Sequence, residues 1–233
     1  MNFVGADEQK QQAGAQAALL VEDGMTVGLG SGTTAMAFVR ALGERINAGL
    51  RVRAVSSSAV TSRLAHSVGI ELIELDSRLD LAIDGADAIE RGTLCAIKGL
   101  GGALTREKLV ALAADLFVLV GDSSKVFGQL AESQPRIPIS VEVLPFGWQL
   151  TRARLGAIGE PVLRMMDGQP FITDNGNLIL DLYSADCTRI LDIACAIKDI
   201  TGVVEHGLFL NLASRAIVAG DDGVEELVVT ARH

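Results

Sequence analysis

The feature that most constrains this chain is an alternation that runs through its first 134 residues. Short apolar runs at 25–29, 51–55, 79–83 and 116–120 each end in a loop rich in Gly, Ser or Asp, and segments of helical period lie between them. Runs of this length suit buried strands. The segments at 8–21, 34–46, from the Ser56-Ser57-Ser58 run to 68, and 106–114 suit the helices that connect them. Further strands are predicted at 70–75 and 94–97. Strands alternating with helices specify an α/β architecture, a Rossmann-like, mostly parallel sheet with helices on both faces.

The punctuation changes near residue 135. A strand at 139–143, a helix at 148–158, a strand at 161–166, a hairpin with turn signals at Asp167-Gly168 and Asp174-Asn175-Gly176, a strand at 178–182, a helix at 190–200 and a strand at 203–204 follow in order. That βαββαβ sequence predicts a smaller ferredoxin-like α+β domain. Residues 1–134 and 208–233 are therefore expected to form the main catalytic domain and 135–207 the small one. In the tail, the segments 208–212 and 216–218 can return to the first sheet.

Composition narrows the function. The chain has 233 residues, enough for a sizeable core, and its 49% hydrophobic and 21% charged content is that of a packed protein. Its net charge of −9 and the lack of any Lys/Arg run argue against nucleic acid, yet backbone N–H groups and one or two placed cations can still hold a small anion. The polar, acidic start MNFVGADEQKQQ lacks the character of a secretory signal, and no apolar run is long enough to span a bilayer. The expectation is a cytoplasmic protein without a membrane role. Cys95, Cys187 and Cys195 lie on apolar segments without CxxC spacing, and buried thiols are expected.

Four loops carry the chemistry. The first, Gly28-Leu29-Gly30-Ser31-Gly32-Thr33-Thr34, joins a strand to a helix, so free N–H groups and the helix dipole face one point, and the Ser and Thr hydroxyls add donors. Tight turning alone also accounts for its glycines. A dinucleotide fingerprint would need Gly where Thr33 stands and an acidic residue where Ser56 stands, and no Gly-Lys pair makes a Walker A loop.

The second loop is Asp84-Gly85-Ala86-Asp87, whose two carboxylates either enter one cleft, with one pKa raised, or form a solvated turn. In the third, Lys98-Gly99-Leu100-Gly101-Gly102 runs into a helix carrying Glu107. A cation, a nest of backbone donors and a carboxylate are the parts needed to take a proton from beside a carbonyl, although a first-turn Glu is also ordinary dipole complementation. The fourth, Gly121-Asp122-Ser123-Ser124-Lys125, brings another cation to the same sheet edge. Strand carboxyl ends in such sheets share a crevice, so the four loops can converge on one ligand. His66, His206 and His233 lie outside these loops, which gives little support to a metal cluster or a Ser-His triad.

In order and spacing, the four motifs and the LTREK segment at 104–108 resemble the A-type ribose-5-phosphate isomerases over nearly the whole chain, starting from Lys10. The resemblance implies a metal-free and cofactor-free interconversion of ribose 5-phosphate and ribulose 5-phosphate through an enediolate, a step of the non-oxidative pentose phosphate pathway. It casts Glu107 as the base, Asp84 as the group assisting ring opening, and Asp87 and Lys98 as binders of the sugar and its developing charge. Gly99, Gly101 and Gly102 would line the oxyanion site. Ser31, Gly32, Thr33 and Thr34 would hold the phosphate with Lys10 and Lys125, and Gly85 and Ala86 would contact substrate. A homodimer or homotetramer is implied too. Three positions depart from the family pattern. Ala88 stands where Glu commonly follows DGAD, Leu100 replaces a glycine, and Ser140 replaces a proline. Leu100 either narrows the pocket or points into the core. The competing readings are a related sugar-phosphate enzyme, such as an amino-sugar phosphate deaminase or a CoA transferase, and a non-catalytic sugar-phosphate sensor.

Overall fold

The computed structural model describes residues 5–133, 136–183 and 189–230. Helix α1 (Ala6–Ala18) leads into β1 (Thr26–Leu29), α2 (Thr33–Asn47), β2 (Arg53–Ser56), α3 (Ala59–Ser67), β3 (Glu71–Leu72), β4 (Leu79–Gly85), β5 (Ala88–Glu90), β6 (Ala96–Ile97), α4 (Leu104–Ala113), β7 (Ala114–Asp122) and β8 (Val126–Phe127). There follow β9 (Ile139–Val143), α5 (Trp148–Leu155), β10 (Glu160–Leu163), β11 (Met165–Met166), β12 (Gln169–Pro170), β13 (Leu178–Tyr183), α6 (Ile190–Lys198), β14 (Val203–His206), β15 (Leu208–Phe209), β16 (Arg215–Gly220) and β17 (Gly223–Val228).

The large sheet has the order β17-β16-β7-β4-β1-β2-β3, parallel throughout except for the β16–β17 edge pair. Its central strands are buried on both sides, which is why they read as unbroken apolar runs. Leu81, Ile83, Val118 and Val120 face a core formed with α1, α2 and α3, while Ala82, Phe117 and Leu119 face a second core with Val110 and Ala111 of α4. The period of two in each strand thus puts helices on both faces. From β1 the chain winds outward through β2 and β3, then crosses to β4 on the other side of β1. The carboxyl ends of β1 and β4 therefore flank the crevice at the switch point, the place where such sheets bind ligands.

The second four-stranded sheet, β10-β13-β9-β14, is antiparallel and carries α5 and α6, giving the ferredoxin-like order. Every second residue of its two central strands enters one core: Ile139, Val141 and Val143 of β9 lie with Leu178, Leu180 and Leu182 of β13, and all six pack with Leu155 of α5 and with Ile190 and Ile197 of α6. Of the two tail segments, 216–218 joins the large sheet within β16. Leu208–Phe209 instead pairs with β6 in a third sheet, β15-β6-β5-β8. The strands β5 and β8 are three and two residues long, too short to show a period of their own.

Two local features place the site. Gly14 of α1 meets α2 so closely that a Cβ there would lie 2.5 Å from the Phe38 amide nitrogen. Lys10, one helical turn earlier on the same face, is thereby carried to the mouth of the crevice. Helix α3 is fixed at its start by Ser58, whose hydroxyl accepts the Thr61 N–H at 3.1 Å.

Candidate active site

A cavity of about 310 Å³ opens at the switch point between β1 and β4. At one end lies the N-terminus of α2. Gly32 precedes it with φ +87°, a left-handed conformation suited to glycine, and no side chain caps the helix, so its first N–H groups remain available to an anion. Gly32, Thr33, Thr34, Lys10 and Lys125 line this end. Ser31 also lines it, but its hydroxyl is 2.9 Å from that of Ser57, while its N–H donates to Asp84 Oδ1 at 2.9 Å.

The other end is built on a buried group of three charges. Lys98 Nζ lies 3.0 Å from Asp84 Oδ2 and 3.3 Å from Glu107 Oε2, and it donates to the Gly85 carbonyl. All three residues are almost wholly removed from solvent. The packing is tight enough to require glycine at position 30, where a Cβ would sit 2.1 Å from the Asp84 carboxyl carbon. Glu107 Oε2 is buried, and its one polar neighbour of opposite charge is the Lys98 ammonium.

Burial is the main cause that pushes Glu107 up to about 8; the negative charge of Asp84 adds to it, and Lys98 opposes it. Asp84 is raised as well, because burial outweighs the Lys98 ammonium and the Ser31 N–H. For Lys98, burial alone would lower the pKa, but Asp84, Glu107 and Asp87 together hold it above the ordinary lysine range. One cation thus faces two carboxylates, so ionising both leaves a net negative charge that little water can screen. Glu107 therefore holds its proton more tightly than an ordinary carboxylate and becomes a strong base as that proton leaves.

The backbone of the third loop completes this end. Gly99 and Gly101 line the cavity, and the Leu100 N–H donates to Asp87 Oδ2 at 3.0 Å. Lys98 is clipped in place by its N–H to the Gly207 carbonyl at 2.8 Å, and a Cβ at Gly207 would lie 2.0 Å from the Lys98 carbonyl oxygen.

The predicted residues are brought together with two distinctions. Asp84 and Gly102 stand behind the cavity lining, and the Gly102 N–H is turned to the Gly99 carbonyl at 2.9 Å. Gly85, Ala86, Asp87, Lys98 and Glu107 line the cavity itself. Leu100 takes neither of its expected directions. The residue is 45% exposed and lies outside the cavity lining and outside the core. Ala88 is buried between the sheets, and Ser140 is buried in β9. The expectation of buried thiols holds for Cys95 but is corrected for Cys195, which is exposed because it lies on the side of α6 turned away from Ala194 and Ile197; Cys187 lies outside the described residues. His206 is buried and His66 lines a separate, wider groove beside α3 and α4, while His233 lies outside the described residues. Among the described residues, no three His, Cys, Asp or Glu side chains cluster as metal ligands, and no helix is long and apolar enough to cross a membrane.

Sequence reasoning missed Ala6, Asp122 and Ser124 as cavity residues. Asp122 accepts the Ser124 N–H at 3.1 Å, an Asx-type turn that sets the direction of the loop bearing Lys125. An Asp followed two residues later by Ser at a strand end is the signal that was there to read.

Comparison with known proteins agrees with this geometry. The family model described as Ribose 5-phosphate isomerase A (phosphoriboisomerase A) matches residues 53–223. Ribose-5-phosphate isomerase A of Gloeobacter violaceus is 47% identical over 228 residues, covering 97% of this chain and 98% of the relative. That of Thermomicrobium roseum is 48% identical, covering 96% and 95%. Among solved structures, ribose 5-phosphate isomerase A from Methanocaldococcus jannaschii superposes with a TM-score of 0.88 at 38% identity, covering 95% of this chain and 99% of that one. A D-ribose-5-phosphate isomerase in complex with phospho-erythronic acid superposes with a TM-score of 0.92 at 33% identity, covering 97% and 100%.

Proposed function

The chain belongs to the ribose 5-phosphate isomerase A family, and from that premise we propose that Glu107 is the base that moves a proton between C1 and C2 as ribose 5-phosphate and ribulose 5-phosphate interconvert. The observation that carries this role is the buried carboxylate of Glu107, paired with Lys98 and lining a cavity whose far end is the uncapped start of α2.

The phosphate takes the α2 end, held by the N–H groups after Gly32, the hydroxyls of Thr33 and Thr34, and the ammonium groups of Lys10 and Lys125. This anchors the open-chain sugar with its carbonyl at the Lys98 end. Glu107 takes the proton from C2. The C2–H electron pair forms the C1–C2 double bond, and the C1 carbonyl oxygen gains the negative charge of the enediolate. Lys98 and the backbone of Gly99 and Gly101 support that oxygen, where a prearranged dipole is worth most. A proton passes from the C2 hydroxyl to the C1 oxygen with the help of Asp84 and Asp87, Glu107 returns its proton to C1, and the carbonyl is left at C2. Asp84, placed behind the lining, acts through Lys98 and through the ring-opening proton. Gly102 supports the loop from the same layer.

Residues 1–134 and 208–233 form the catalytic unit in this reading, with 135–207 as a small domain. Assembly into a homodimer or homotetramer through the small domain is supported by Phe146, 94% exposed, and the exposed Leu150. The cytoplasm is the compartment where this substrate class occurs. The direct test is incubation with ribose 5-phosphate and measurement of ribulose 5-phosphate. Formation at a rate proportional to enzyme is expected, and no turnover by the folded chain would overturn the reading.

A further inference from the structure

We propose that Arg164 is a positioning residue for the isomerisation: from the small domain it turns two peptides of the Gly99-Leu100-Gly101 loop so that the Leu100 N–H seats on Asp87 and the Gly101 N–H faces the reacting oxygen. The inference rests on the active-site reading above and deepens it.

Arg164 lies between β10 and β11, 65 positions along the chain from Gly99, and each of its five N–H donors is used. Nη1 donates to the carbonyls of both Gly99 and Leu100, at 2.9 Å each. Nε donates to Asp181 Oδ2 at 2.8 Å, and Nη2 to Asp181 Oδ1 and to Ser140 Oγ, the latter at 2.7 Å. A planar fork with five donors suits this task, and a lysine ammonium with three cannot reproduce it. Asp181 on β13 and Ser140 on β9 fix the guanidinium to the small sheet. Ser140 is also the position where this chain departs from the family's proline, so its hydroxyl contributes a partner that a proline would lack.

The consequence follows from peptide geometry. A trans peptide points its C=O and its N–H in opposite directions. With the Gly99 carbonyl held by Arg164, the Leu100 N–H must point away, and it reaches Asp87 Oδ2 at 3.0 Å. With the Leu100 carbonyl held as well, the Gly101 N–H is turned from Arg164, on the residue that lines the cavity. The cation beside both carbonyls also polarises these peptides and strengthens their N–H groups as donors. The same hairpin reinforces the loop from a second side. Phe171, over which the Arg164 guanidinium lies at 5.9 Å, packs under Gly102 so closely that a Cβ there would be 2.4 Å from the ring. The outward turn of the loop also explains how Leu100 is accommodated, since its side chain is directed to solvent.

The test compares wild type, Arg164→Ala and Arg164→Lys in turnover of ribose 5-phosphate and in inhibition by phospho-erythronic acid, whose carboxylate offers two oxygens in the plane expected of an enediolate. Both variants are expected to lose roughly 10²-fold in kcat, the scale of misplacing a reacting arrangement, with KM changed by less than about threefold because the phosphate end is untouched. The inhibition constant for phospho-erythronic acid should rise at least about tenfold, and added guanidinium ion should restore part of the kcat of Arg164→Ala but not that of wild type treated alike. Folded variants with normal kcat and normal inhibition would overturn the proposal, as would equal losses in kcat and KM with no rescue, or a failure of both variants to fold. Glu107→Gln is run beside them. An inactive wild type counts against the proposed function, whereas an active wild type with an indifferent Arg164→Ala counts against this inference alone.

Discussion

Glu107 stands between two opposed pressures, burial that favours its protonated form and a lysine that favours its ionised form, and burial wins. The result, a pKa of about 8, has a direct kinetic consequence. In the role proposed for it Glu107 works as a carboxylate, so lowering the pH below that value would protonate it and remove active enzyme. We therefore expect kcat/KM to fall about tenfold per pH unit on the acid side and to level off above the limb, since kcat/KM reports the free enzyme. The measurement is a pH profile of kcat/KM spanning about two units on the acid side of that pKa and one and a half above it; a flat acid side would contradict the assignment of this pKa to the base. Asp84, Lys98 and Glu107 were legible in the sequence because each closes a strand or follows a glycine loop. Arg164 and Glu142 were not. Glu142 is a fully buried carboxylate in β9 that accepts Thr173 Oγ1 at 2.9 Å, Asn175 Nδ2 at 3.1 Å and Asn177 Nδ2 at 2.8 Å, and Thr105 at the start of α4. Neither side chain differs in the sequence from an ordinary polar residue, because the partners that give it meaning lie well away along the chain.

At the scale of elements, the decisive contribution comes from α2, whose uncapped start faces the cavity between Lys10 and Lys125. Replacing Thr33 and Thr34 together with Val removes two hydroxyl donors while keeping side-chain shape, so the helix and its packing through Phe38, Val39 and Leu42 should persist. Steady-state kinetics should show KM for ribose 5-phosphate raised roughly tenfold, the worth of one or two hydrogen bonds to a charged group, with kcat changed much less. An unchanged KM in the folded double variant would move the phosphate to another part of the cavity. The helices and long strands were readable from their periods within a few residues. Of the third sheet, β6 and β15 fall within the segments predicted at 94–97 and 208–212, whereas β5 and β8 owe their existence to pairing across that sheet, which leaves almost no local pattern.

At the scale of the whole molecule, the sheet order fixes where chemistry can happen, and the small domain fixes how sharply. Winding outward from β1 and crossing back to β4 opens the crevice. Contacts from the ferredoxin-like sheet and the segment that follows it, through Arg164, Glu142 and Gly207, then hold the 98–107 segment against it. The alternation of strands and loops announced the first half of this design, and the long-range clamps of the second half emerge only in three dimensions. The central claim, that Glu107 carries the proton, is tested most directly by following exchange of the substrate C2 proton with solvent deuterium by NMR in wild type and Glu107→Gln. Gln keeps the length and removes the basicity, so the folded variant should bind ribose 5-phosphate nearly normally, lose roughly 10²-fold or more in kcat and show no exchange above the uncatalysed rate. Exchange and turnover at near wild-type rates in that variant would contradict the account and pass the role of base to Asp84 or Asp87.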